Sequence, residues 1–340
     1  MPFLENDEFI ILMNPNLHVM DNWGAPKPLY VPTLECRQRY RDAGIKTAVE
    51  RPIWSEIEPK QGEYDFSTIE EMLYLNRNAD QKTIFHVYTA KTPTWLPDDW
   101  IATEQDGKLT YWRAALSLWN KDAQRHIEGY CKMLVDKYSA PDVMFIMGGY
   151  ADNEAILPVA PAFYDRAALE SYRKMFGADA FPDINSPDTR MWLGIEVLNY
   201  CDMMDALLYE PHKELWNMQQ FLMNQWSPAT GNYMQLSIMA GQQGKYSPLH
   251  QTLLQYTYYD HAHGKENEAH VDNIAKVTGC DVIVEAHYCK GLRETAPKSI
   301  KKGFRGQIVC PTHQQSGSAL PEDWMFSEIK WAHDLWRSSR

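Results

Sequence analysis

The residues that could do chemistry fall within or just beyond short apolar runs. Arg51 and Trp54 follow Thr47-Ala48-Val49, and His86 lies inside Thr83-Ile84-Phe85-His86-Val87-Tyr88, which leads to Lys91 and Trp95. Asp152-Asn153-Glu154 come soon after Val143-Met144-Phe145-Ile146-Met147. Asp281-Val282-Ile283-Val284 continues into Glu285, His287 and Tyr288, and Gly306-Gln307-Ile308-Val309 leads to His313-Gln314-Gln315. Carboxylates, imidazoles and amides among Trp and Tyr are the parts that move a proton and hold a flat, hydroxyl-rich ligand. A carboxyl walled by aromatic rings resists ionisation and can keep its proton near neutral pH. Glu154 and Glu285 are carboxylates that fall at these strand ends. Glu285 and His287 lie two apart on a strand, so alternation sends both side chains the same way.

Each of these residues has a plainer reading. Glu154 could be a solvated loop carboxylate, and Glu285 a barrel-interior carboxylate paired to an arginine. His86 and His287 could be satisfied core histidines, and Trp54 and Trp95 ordinary core. The stretch with His261, His263, Glu266, Glu268 and His270 invites a metal reading, but its spacing fits no zinc pattern, and a solvated loop is the better account. Phosphate-binding glycine loops are absent, so no nucleotide cofactor is expected. No other cofactor and no metal is expected.

The elements that must position these groups alternate between strand and helix. Seven strands are legible, at 9–13, 47–49, 83–88, 143–147, 233–238, 281–284 and 306–309. Helices are expected at 33–43, 67–78, 121–138, 162–176, near 189–226, near 268–278 and at 323–337, the last with Trp324, Trp331 and Trp336 at packing positions. Strands that are nearly continuous in apolar residues and separated by helices argue for a parallel sheet clothed in helices. No repeat, low-complexity segment or Gly/Ser linker divides the chain, so residues 1–340 are expected to form a single α/β domain, a (β/α)8 TIM-type barrel. In such a barrel function collects at the C-terminal ends of the strands, where the polar residues above fall. Seven strands would leave two unpaired edges. Either one strand is unread, or the barrel is irregular or incomplete at its C-terminal end.

Composition narrows the classes further. The chain has 340 residues, 44% of them hydrophobic and 23% charged, which excludes collagen-like, disordered and coiled-coil classes. Lys and Arg number 33 against 45 Asp and Glu, a formal net charge of −12 with no basic run, so neither nucleic acid nor an anionic membrane is an expected partner. Twelve Trp and 19 Tyr are an unusual aromatic load, which a large core can absorb but which also suits a site for flat, hydroxyl-rich ligands. Cys36, Cys131, Cys201, Cys280, Cys289 and Cys310 are far apart and read as reduced buried thiols rather than disulfides or zinc ligands. The opening residues have no positive region and no apolar core, so no secretory signal is read and the cytoplasm is the expected location.

Several of these stretches resemble one family. Trp54-Ser55-Glu56-Ile57-Glu58-Pro59-Lys60-Gln61-Gly62-Glu63-Tyr64-Asp65-Phe66 is similar to the second-strand signature of clan A glycoside hydrolases, and Thr92-Pro93-Thr94-Trp95-Leu96-Pro97 to the third loop of that clan. Asp152-Asn153-Glu154 resembles the motif after strand four, and Ala162-Phe163 to Phe176-Gly177 the helix that follows. Order and spacing over roughly residues 8–318 are most like the family 42 β-galactosidases. The resemblance implies a retaining glycosidase acting on a β-linked carbohydrate, with two carboxyl groups about 5–5.5 Å apart. Glu154 takes the acid/base position and Asn153 would bond the sugar 2-hydroxyl. Arg51, Trp54, His86, Trp95, His287 and Tyr288 fall at sugar-lining positions, Arg51 a few residues from the usual place.

One position departs from the pattern. The clan's nucleophile is a Glu at the end of strand seven, and the seventh run counted here ends in Pro311-Thr312-His313-Gln314-Gln315-Ser316-Gly317, which puts Gln314 there. An amide has no anionic oxygen with which to attack an anomeric carbon. Either the position carries an inactive replacement, or the register is shifted, or Glu285 is the second carboxylate. The rival expectations are an inverting or glycosyl-transferring barrel that uses Glu154 and Glu285, and a degenerate barrel that binds glycans without cleaving them.

Overall fold

A computed structural model of the chain describes residues 3–5, 7–13, 33–87, 92–109, 116–147, 163–183, 185–216, 219–224, 251–257, 281–287, 289–309 and 321–340. Eight strands form one sheet: β1 (Ile10–Met13), β2 (Thr47–Glu50), β3 (Lys82–Val87), β4 (Val143–Met147), β5 (Gln219–Asn224), β6 (Gln251–Thr257), β7 (Asp281–His287) and β8 (Gly306–Val309). The helices are α1 (Leu34–Asp42), the short α2 (Trp54–Ile57), α3 (Ser67–Asn78), α4 (Lys121–Tyr138), α5 (Arg166–Phe176), α6 (Pro187–Leu208), α7 (Leu292–Lys302) and α8 (Asp323–Ser338). The hydrogen-bonded order is β4-β3-β2-β1-β8-β7-β6-β5, and every described ladder is parallel. Its two end strands, β4 and β5, approach each other within 8 Å between Cα atoms. This is the order of a (β/α)8 barrel of the TIM type, with β8 closed onto β1.

Where seven strands are expected, the described residues form a sheet of eight. Gln219–Asn224 had been absorbed into an overlong helix, because its Phe-Leu-Met run contains no β-branched residue; the helix ends at Leu208. Gln251–Thr257 was passed over, since glutamines interrupt its apolar residues. Leu292–Lys302, where no helix is expected, is a helix despite Pro297 in its interior. The expected strand at 233–238 and helix near 268–278 lie outside the described residues.

Alternation along β1 separates two packing layers. Ile10 and Leu12 join Ala48 and Val309 against Cys36 and Tyr40 of α1, Leu292 and Ala296 of α7, and Met325, Ile329 and Trp336 of α8. Ile11 joins Val49, Ile84, Ile283 and Ile308 in the other layer. Helix starts are capped: Thr33 accepts from Cys36 N–H, Asn120 from Asp122 and Ala123, and Asp165 from Ala168. Gly306 has to be glycine, because a Cβ there would stand 2.5 Å from the Phe9 carbonyl oxygen. At the N-terminal ends of the strands, residues 3–8 are gripped by cations. Lys46 binds Glu5 and Asp7, Lys82 reaches the Phe3 carbonyl, Glu5 and Glu8, and Arg305 donates to the Glu5 and Glu8 carbonyls. Burial pushes the Glu8 carboxyl up despite Lys82 and its bond from Thr47.

Candidate active site

Because the strands are parallel, Glu50, Val87, Met147, His287 and Val309 all end at one face of the sheet, and the chain leaves that face with the candidate residues. Arg51 directly follows β2 and is buried at 7% exposure. His86, two residues beyond the inward-layer Ile84, is fully buried in β3. Burial drives the His86 imidazole well below its usual range, and the nearby Arg51 guanidinium adds to the effect, so the ring is neutral at pH 7. A neutral imidazole can both donate and accept a hydrogen bond, which suits a buried ring that links the groups around it.

The end of β2 is fixed from behind. Arg37 Nη2 donates to Glu50 Oε1 at 2.8 Å, with both side chains buried, and Asn76 Nδ2 donates to the same oxygen at 2.9 Å and to Thr83 Oγ1 at 3.0 Å. Helices α1 and α3 thereby hold the residue just before Arg51. Alternation on β2 places Glu50 on the other face from Val49, so it supports the site from the helix layer.

The signature at 54–66 is largely a clasp that binds itself. Trp54 Nε1 donates to Glu58 Oε2 at 2.8 Å, and Gly62 N–H donates to Glu58 Oε1 at 2.9 Å. Asp65 N–H bonds the Ile57 carbonyl at 2.7 Å, and Asp65 Oδ1 accepts from Ser67 N–H at the start of α3. Trp54 is fully buried, with its ring stacked on Tyr130 at 5.1 Å and on His126 at 5.7 Å. That corrects its expected role: no face of this indole is open to a sugar, and it packs the clasp. Trp95 is only half-buried, its Nε1 donating to the Glu58 carbonyl at 2.9 Å. Burial of Glu58 opposes its charge, yet bonds from His126, Gly62 and Trp54 outweigh burial and hold the carboxyl below its ordinary range.

Glu285 and His287 lie on the seventh strand, not the sixth. Glu285 pairs with Thr257 of β6 and Ile308 of β8, and His287 with Val309, so the ladder to β8 slips by one residue between them. Strict two-residue alternation therefore does not apply across this irregularity, of a kind often found beside active sites. Gln314 follows the eighth strand and is not at the end of strand seven. The apparent loss of a seventh-strand carboxylate came from the strands missed before it. Asn153, Glu154, Tyr288 and Gln314 lie outside the described residues, as does 261–270.

Sequence reading missed the part played by Glu58 and His126. Both were visible, Glu58 inside the quoted signature and His126 one residue before Ile127 on the buried face of α4, but neither stands at a strand end. Among the described residues no group of three or more His, Cys, Asp or Glu is placed to hold a metal ion, and no helix is long and apolar enough to cross a membrane.

Comparison with known proteins supplies the context. Residues 35–196 match the model of glycoside hydrolase family 42, described as beta-galactosidase. β-Galactosidase BgaH of Haloferax lucentense is 31% identical over 106 residues, which is 30% of this chain and 16% of that protein. In fold, the catalytic domain of a β-amylase from Paenibacillus polymyxa superposes with a TM-score of 0.75 at 10% identity, covering 99% of this chain and all of that one. A β-galactosidase from the psychrophilic Marinomonas ef1 superposes at 0.67 and 12% identity, covering 96% of this chain. The chain spans only 59% of that β-galactosidase. Residues 35–196 are thus similar to the family 42 β-galactosidases, and over nearly its whole length the chain shares the barrel fold of these solved glycosidases.

Proposed function

We propose that residues 1–340 act as one barrel domain that hydrolyses a β-linked sugar, a β-galactoside first of all, with retention at the anomeric carbon. The observation that carries this reading is the position of Glu285 on β7, with Glu154 seven residues beyond the end of β4. Strands four and seven stand across the mouth of an eight-stranded barrel, where two carboxyls can flank one glycosidic bond. In the first step the Glu285 carboxylate attacks the anomeric carbon while Glu154 gives its proton to the departing oxygen. The enzyme–sugar ester forms as the glycosidic bond breaks. In the second step Glu154 takes a proton from water, the hydroxide oxygen bonds the anomeric carbon, and Glu285 leaves as carboxylate. Asn153 bonds the 2-hydroxyl, Arg51 and neutral His86 hold the site beside it, Trp95 offers a stacking face, and His287, Tyr288 and Gln314 complete the rim. Buried Cys36, Cys131 and Cys289 carry no disulfide, in keeping with a reducing compartment such as the cytoplasm.

The test is the pair of variants Glu285→Gln and Glu154→Gln on aryl β-galactosides, with the first-formed anomer followed by NMR. Loss of about 10³-fold or more in kcat for Glu285→Gln, with β-galactose released first, is expected. An α anomer released first would favour an inverting pair with carboxyls about 6.5–9.5 Å apart. Unchanged hydrolysis in Glu154→Gln would sink its assignment. A glycan-binding barrel without turnover loses its two supports, the missing strand and the missing seventh-strand Glu.

A further inference from the structure

We propose that Glu58 and His126 are positioning residues: they brace the third-strand loop so that Trp95 presents its ring at the mouth of the barrel. The inference rests on the glycosidase reading for its substrate, but its geometry stands apart from the two catalytic carboxylates. Glu58 is fully buried and gathers three elements at one carboxylate. Trp54 of α2 donates to Oε2, Gly62 N–H of the following turn donates to Oε1, and His126 of α4 lies 3.3 Å from Oε2 through its Nε2. The carbonyl of the same residue accepts the indole N–H of Trp95. His126 packs edge-on against Trp95 at 5.1 Å and also meets Trp54 at 5.7 Å and Trp100 at 5.8 Å. Through its ring, one imidazole thus touches the loops that leave β2 and β3.

The brace is specific in its chemistry. Both backbone Gly62 and the Trp54 indole can only donate, and each takes a different oxygen of Glu58. Position 58 therefore needs two acceptor oxygens, which a carboxylate supplies and an amide does not. His126 then adds a contact that reaches beyond the clasp, because its ring is the one that meets Trp95 and Trp100 as well as Trp54. Among the described residues the loop holding Trp95 is also tied by Leu96 N–H to the Pro93 carbonyl, Trp100 N–H to the Pro97 carbonyl, Ser117 N–H to the Trp100 carbonyl and Asn120 Nδ2 to the Asp99 carbonyl, none of which bonds the indole.

The experiment compares wild type, His126→Phe and His126→Gln on an aryl β-galactoside, with thermal unfolding measured in parallel. Phenylalanine keeps the ring packing and removes the bond to Glu58; glutamine restores an N–H donor. Expected for His126→Phe is a KM raised about fivefold with kcat within about twofold and a melting temperature lowered by no more than about 5 °C, and His126→Gln should recover most of the KM. An unchanged KM in His126→Phe overturns the proposal, as does a fall in kcat that simply tracks a lower melting temperature. Absence of wild-type turnover on every aryl β-glycoside refutes the glycosidase reading instead. The brace is then read by limited proteolysis: faster cleavage within 92–101 in His126→Phe than in wild type supports it, and equal cleavage overturns it.

Discussion

Acidification should expose a single histidine as a measurable source of instability. His333 on α8 is 1% exposed, stacked edge-on to Phe9, and neither ring nitrogen has a hydrogen-bond partner among the described residues. Burial pushes its imidazole down to about 4 from an ordinary 6.5, with Arg337 adding to the shift. The gap of 6.5 − 4, about 2.5 units at about 1.4 kcal/mol each, is worth about 3 kcal/mol. The sign follows from which state binds the proton. Between pH 6.5 and 4 the unfolded chain takes up a proton that the folded one refuses, so stability falls as pH drops through 6.5 and the loss levels off near 4. Leucine at 333 removes both the titration and two unsatisfied nitrogens. His333→Leu should be as stable as wild type or more so at pH 7, and its margin over wild type should grow by about 3 kcal/mol by pH 4. Urea unfolding of both proteins at pH 7, 6, 5 and 4 measures this, and the comparison cancels the carboxylates that titrate in the same range. Parallel stability curves for the two proteins, or an NMR titration of His333 near 6.5, would refute the reasoning.

Three further outcomes are expected. Gly306→Ala drives a Cβ to 2.5 Å from the rigid Phe9 carbonyl where β8 meets β1, and should cost about 1–3 kcal/mol in urea unfolding. Arg37→Ala leaves the Glu50 carboxylate buried without its cation and should cost about 3–5 kcal/mol, far more than any surface pair such as Lys60–Glu63. Glu58→Gln turns an amide N–H₂ toward Trp54 or Gly62 and should cost about 1–3 kcal/mol by thermal or chemical unfolding, whereas a neutral result would show that the carboxylate is not needed there.

The first half of the barrel was legible in the sequence, as were β7, β8 and the last helix, but β5 and β6 were not. β2, β3 and β4 are rich in Val, Ile, Phe and Thr, and helices such as Lys121–Tyr138 begin at side-chain caps, so composition and periodicity mark them. β5 and β6 carry Gln, Leu and Met, residues at home in either state, and only their neighbours in the sheet make them strands. That ambiguity moved every later strand number by one and turned Glu285 into a sixth-strand residue. Arg51 and His86 were marked out by their places at strand ends, and both prove to be buried. The clasp around Glu58 was not, because hydrogen bonds between residues 54, 58, 62 and 126 depend on how a turn meets a helix.

The closure of β8 onto β1 also bears on how such a chain can be made. Arg305 bonds the carbonyls of Glu8 and Glu5 across 297 and 300 positions of sequence, and Gly306 tucks against Phe9 beside it. At ribosomal speeds of about 5–20 residues per second, β1 waits roughly 15–60 s for its second neighbour. Through that interval one edge of Ile10–Met13 stands open while residues ahead of it already await Arg305. The growing barrel is therefore a template in search of a strand, and the last ladder to form is the one that removes its stickiest edge.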